Sequence, residues 1–118
     1  MEDGDGSCEN IKVKDLRQIL VHFGFDFSLM GSIYIYEILK EITENSSLLK
    51  GACLPSITKL AEKHNVKMKS LSRDIRWAIK KAYDEGLLKY VPFFQGRARV
   101  PNTRQVIFWL YHFYMFHI

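Results

Sequence analysis

The chain has 118 residues, 47% hydrophobic and 25% charged, which suits one folded domain and leaves no room for two ordinary ones. A chain of this size buries roughly two thirds of its unfolded surface, so it needs neither disulfides nor a structural metal to hold a core. Seventeen Lys and Arg against thirteen Asp and Glu leave +4, an excess that says nothing about partners until it is located along the chain.

Residues 1–10 carry Gly4, Gly6, Ser7 and four acids without apolar periodicity, so a disordered acidic arm is expected there, followed by one helical domain over residues 11–118. Asp3-Gly4-Asp5-Gly6 resembles the start of a calcium loop, but Cys8 and Lys14 stand where that loop needs Gly and Glu, so calcium is discounted. Leu16, Ile19, Leu20 and Phe23 recur at helical spacing and predict a first helix over residues 14–23, with Gly24 as its stop. A second helix is expected from Ser32, read as its N-cap, to Glu44, burying Ile35, Ile38, Leu39 and Ile42. Leu54-Pro55 then opens a short third helix through Ile57, Leu60 and Ala61 that ends near His64-Asn65. A long fourth helix over about Lys69 to Glu85 precedes Gly86, and a loop with Pro92, Gly96 and Pro101 leads to a last helix starting near Asn102 or Thr103. The fold class is therefore all-α, a bundle of about five or six helices. The minority alternative pairs residues 87–91 with 97–100 as a β-wing, against which Pro92 speaks.

Val106 to Ile118 is too short for the about 20 apolar residues of a bilayer span and contains His112 and His117. The acidic start lacks the basic or apolar character of a leader. A cytoplasmic, nucleoid-associated location is expected, with Cys8 and Cys53 as reduced thiols.

The small net charge hides a polarity. Residues 1–58 hold five basic and nine acidic side chains, residues 59–89 nine and four, and residues 90–118 three and none. The basic middle and tail invite a polyanion, for which nucleic acid is the first candidate; charge alone fits a solvated helical face equally well. The third and fourth helices also have a helix-turn-helix pattern. Ala61 lets the helices approach, Asn65 suits a left-handed turn, Val66 is expected to plug the corner, and Leu71, Ile75, Ala78, Ile79 and Ala82 form one buried stripe. On the opposite face Lys69, Arg73, Arg76, Trp77 and Lys80 share an arc of roughly 100°. A cationic rod after a tight turn is what major-groove reading requires, with arginines able to bond guanine bidentately.

Gly24 and Gly31, Tyr34, Leu60-Ala61-Glu62-Lys63-His64-Asn65, Arg73-Asp74-Ile75-Arg76-Trp77-Ala78-Ile79, Ala82-Tyr83, Gly86 and Pro101-Asn102-Thr103 resemble, in order, the C-terminal DNA-binding domain of the sporulation initiation regulator, the stage-zero A response regulator of endospore-forming bacteria. The resemblance covers residues 13–110. It implies an all-helical domain that binds promoter boxes as head-to-tail dimers, its recognition helix in the major groove. Base reading carries over to Arg73 and Arg76, with Ser70 and Trp77 at further base-reading positions. Ser70 replaces an arginine of the family, Ser72 a glutamate, Trp77 a histidine, and Ser28 and Met30 a histidine and a lysine ahead of the second helix. Lys67, Lys69, Lys80, Arg97 and Arg99 are the expected phosphate contacts. The family's receiver domain has no counterpart here, which implies a stand-alone relative or an excised domain, the first being favoured.

Six of the sixteen aromatic residues fall between Val106 and Ile118. Ile107, Leu110, Tyr111, Tyr114 and Met115 can form one core stripe, leaving Trp109, Phe113 and Phe116 for a dimer, a partner, or a deeper core of the same domain. Membrane-surface binding is disfavoured by the lack of Lys or Arg after Arg104. The histidines are scattered, and no phosphate loop or nucleophile motif occurs. The expectation is a non-enzymatic DNA-binding regulator without cofactor or metal, partnered by double-stranded DNA, with a homodimer on DNA and the full-length regulator or another transcription protein as further partners. The alternative is an interaction modulator that keeps the fold, has lost DNA reading, and binds a partner through its aromatic last helix.

Overall fold

The computed structural model describes residues 16–45, 54–94 and 100–116. The acidic arm, both cysteines, Arg97 and Arg99 lie outside the described residues. The elements are α1, whose described part is residues 16–22, α2 (Met30–Glu44), α3 (Leu54–Lys63), α4 (Met68–Glu85), a single 3-10 turn (Leu88–Tyr90) and α5 (Thr103–Phe116). The architecture is all-α, and the described residues form no strand. Residues 88–90, half of the β-wing alternative, turn instead as a 3-10 helix whose Leu88 is fully buried.

The two longest helices, α2 and α4, pack together at the centre, with α3 and α5 docked against both. Ile35, Ile38, Leu39 and Ile42 of α2 and Leu71, Ile75, Ala78, Ile79 and Ala82 of α4 are the stripes expected from the spacing, and all are buried. Two close approaches explain three glycines. A Cβ on Gly31 would lie 2.0 Å from the Asp74 carbonyl oxygen of α4 and 2.9 Å from the Ala78 methyl, so only glycine lets the start of α2 sit against α4. Gly24 (φ 104°) ends α1 in the left-handed region, where a Cβ would come 2.7 Å from the Gly86 Cα. The two chain segments cross there, and the Leu87 amide donates to the Phe23 carbonyl at 3.1 Å.

The start of α2 differs from expectation. Ser32 is not the N-cap: α2 begins two residues earlier, Leu29 holds the N-cap position without a side-chain hydrogen bond, and Ser32 is fully buried with its Oγ unbonded. The polar turn chemistry lies upstream, where Asp26 Oδ1 accepts from the Ser28 amide (2.9 Å) and hydroxyl (2.7 Å), and the Leu29 amide donates to the Asp26 carbonyl. This aspartate turn aims the chain into the helix before Ser32 is reached. At α5 the cap is reciprocal: the Gln105 amide donates to Asn102 Oδ1 (2.9 Å) and the Asn102 amide to Gln105 Oε1 (3.1 Å).

The last helix also sorts its rings differently. Val106, Ile107 and Leu110 are its buried residues, while Met115 points outward. Trp109 and Phe113 are half-buried, their rings edge-on to Phe23 at 5.2 and 5.5 Å and stacked on each other at 5.0 Å. Of the three residues left for a dimer, a partner or a deeper core, Trp109 and Phe113 pack on Phe23 within the domain while Phe116 is 75% exposed.

Candidate nucleic-acid interface

The turn between α3 and α4 is short and follows from its residues. The His64 amide bonds the Leu60 carbonyl and ends α3, Asn65 takes φ 55°, and the Val66 amide returns to the Ala61 carbonyl at 3.0 Å. Asn is one of the few side chains that enter the left-handed region at low cost. Ala61 is buried as the approach demands, but Val66 remains partly exposed and is an incomplete plug. The helix-turn-helix is thus present, and its second helix has a buried face defined by five apolar residues.

The turn is anchored from α2. Glu37 accepts from Lys63 Nζ at 2.7 Å and meets His64 Nε2 at 3.2 Å, while Lys59 pairs with Glu41 at 2.7 Å. Burial pushes the Glu37 carboxyl up, but the bonds and charge from Lys63 and His64 outweigh it and hold it below its usual value. These carboxylates, spaced one turn apart on α2, escaped the sequence reading. The signal was available in Glu37 and Glu41 facing Lys59 and Lys63 at matching spacing. An open groove of about 600 Å³ beside them is lined by Arg17, Phe27, Tyr36, Lys40 and the same ion pairs, and its mixed charges favour no single ligand class.

The outward face of α4 carries Lys69, Arg73, Arg76, Trp77 and Lys80, all exposed, with Lys67 exposed just ahead of the helix. Lys80 bonds Asp84 one turn on at 2.6 Å, and Arg73 Nε lies 3.9 Å from Asp74. Among the described residues, Lys67, Lys69 and Arg76 have no carboxylate partner. Exposed pairs such as Lys80–Asp84 are weak and readily exchanged for another anion. Lys81 belongs to the flank instead: it bonds Asp26 at 3.0 Å, which raises its own pKa. Ser70 and Ser72 are half-buried at the edges of the stripe. Ser28 is occupied by the Asp26 turn, and Met30 is exposed at the start of α2.

A line of cations on a rigid rod can bind a polyanion. Among the described residues no three His, Cys, Asp or Glu side chains gather as metal ligands, and no helix is long and apolar enough to cross a membrane. Comparison with family models, with characterised proteins and with solved structures finds no match.

Proposed function

We propose that this chain is a DNA-binding transcription regulator resembling the effector domain of the sporulation initiation regulator, acting in the cytoplasm on the nucleoid and by binding rather than catalysis. The observation that carries this reading is the outward face of α4: four cations and one tryptophan exposed on a single stripe, on a helix held by a tight turn. Arg73 and Arg76 read bases from that face, with Ser70 and Trp77 beside them; Lys67, Lys69 and Lys80 meet phosphates, as do Arg97 and Arg99 from outside the described residues.

Selection from a pool of random duplexes tests it. A shared motif should emerge, and Arg73→Ala should then cost about 1–3 kcal/mol at that motif and relax one base position. Equal loss on selected and random duplexes overturns base reading by Arg73. Affinity that does not fall with salt overturns DNA as the partner.

A second reading, an interaction module working through α5, draws on a separate observation: Phe108, Met115 and Phe116 are exposed on the outward face of that helix. Absence of any selected duplex, together with a complex of defined stoichiometry with a transcription protein in sedimentation, would favour it.

A further inference from the structure

We infer that Trp77 is a specificity-determining residue that reads the 5-methyl group of a thymine close to the base pair met by Arg73, an assignment that rests on the DNA-reading role proposed above. Trp77 is 58% exposed, and among the described residues its indole has no hydrogen bond and stacks on no other ring. It is the one large apolar side chain among the cations of the outward stripe, one turn after Arg73 and one turn before Lys80. The Arg73 guanidinium does not cover the ring but lies toward the Asp74 carboxylate.

The chemistry of the major groove leaves such a ring few partners. Base edges there present hydrogen-bond donors and acceptors, and the only apolar group among them is the thymine methyl. An indole pressed against donors and acceptors strips water from them and returns no bond of equal worth, since it has a single N–H. Against a methyl group it gains an apolar contact and leaves the polar edges free for arginine. Four residues of helix advance about 6 Å, and successive base pairs are about 3.4 Å apart. With α4 running along the groove, the thymine therefore falls within about two base pairs of the one Arg73 reads.

The test uses the full chain and the duplex it selects. Each thymine is replaced singly by deoxyuridine, which removes the methyl group and keeps the pairing edge. At one or two positions near the arginine-read base, affinity should fall about three- to fivefold, the scale of one buried methyl. Trp77→Ala should lose a similar factor on the thymine duplex and bind the thymine and deoxyuridine duplexes equally, while Trp77→Phe keeps part of the discrimination. Because Trp77 is 58% exposed and is not among the buried core residues, near-unchanged thermal unfolding of Trp77→Ala is expected and separates contact from folding. A wild-type protein indifferent to every thymine-to-deoxyuridine change, or a Trp77→Ala variant that still discriminates, overturns the assignment and leaves DNA reading by α4 intact. A selection that yields no duplex at all overturns the DNA-reading role before this step is reached, so the two failures are told apart.

Discussion

The outward faces of α4 and α5 are both exposed, yet they differ in almost every physical respect. On α4, Lys69, Arg73, Arg76 and Lys80 surround one tryptophan; on α5, Phe108, Met115 and Phe116 surround His112, whose ring lies 4.3 Å from Phe108 and 5.8 Å from Phe116. Exposed ammonium and guanidinium groups are already well solvated, so the α4 face is stable in water and gains mainly by exchanging small counterions for a polyanion. Exposed rings gain by leaving water, so the α5 face gains from any apolar cover. Two elements of one small domain therefore favour partners of opposite chemistry, and this is why a nucleic-acid reader and a protein-binding module can both be argued from the same chain.

The contrast predicts where substitutions act. Ile75, fully buried on the inner side of α4, should cost about 2–5 kcal/mol of stability when changed to Ala. Arg76, one residue on and exposed, should change stability by no more than about 0.5 kcal/mol on the same substitution. Urea unfolding measures both. A large loss from Arg76→Ala would mean that its side chain supports the fold and would remove it from the set of groups available to an anion.

That division of α4 was legible in the sequence because both faces follow one period: apolar residues at Leu71, Ile75, Ala78, Ile79 and Ala82 leave the cations nowhere but outside. The stop at Gly24 and the left-handed Asn65 were legible for a similar reason, since few residue types tolerate those conformations. What local pattern misplaces or leaves open has a different origin. Ser32 has the chemistry of an N-cap, but its position is decided by the Gly31–Asp74 approach, a contact across 43 residues that local pattern does not encode. For Trp109 and Phe113 periodicity leaves a partner and a deeper core of the same domain equally open, and the packing of both rings on Phe23 at the end of α1 supplies the second. Periodicity identifies which residues share a face, but chain crossings decide which face is covered.

The same crossing separates residues within α5. Trp109 packs on Phe23, Phe94 and Phe113, so Trp109→Ala should lower stability by about 2–3 kcal/mol, less than a fully buried ring would lose. Phe116, 75% exposed, should alter stability by about 0.5 kcal/mol or less as Phe116→Ala. Denaturant midpoints at two protein concentrations sharpen the comparison. A Phe116→Ala loss that appears only at the higher concentration reveals an apolar cover supplied by a second copy, whereas a loss at both reveals packing inside the domain.

The smallest expected effect concerns Lys81, the cation of α4 that faces Asp26 instead of the outward stripe. The Asp26 carboxyl is lowered to about 2, first by the Ser28 hydroxyl, then by the Ser28 amide, and then by Lys81. An unfolded aspartate titrates near 3.9, so the folded form favours the carboxylate. Its contribution to stability is complete above about pH 4 and is lost as pH falls through about 2. Carboxyl-carbon NMR should find the midpoint near 2, and Ser28→Ala and Lys81→Met should each raise it. A midpoint unmoved by Ser28→Ala would remove the hydroxyl from the causes of the shift. Because the Asp26 carboxylate already neutralises Lys81 locally, Lys81→Met should also reduce the salt dependence of DNA binding by less than the roughly one unit expected for a residue in phosphate contact. A full unit would add Lys81 to the cations proposed to contact DNA and widen the stripe toward α2.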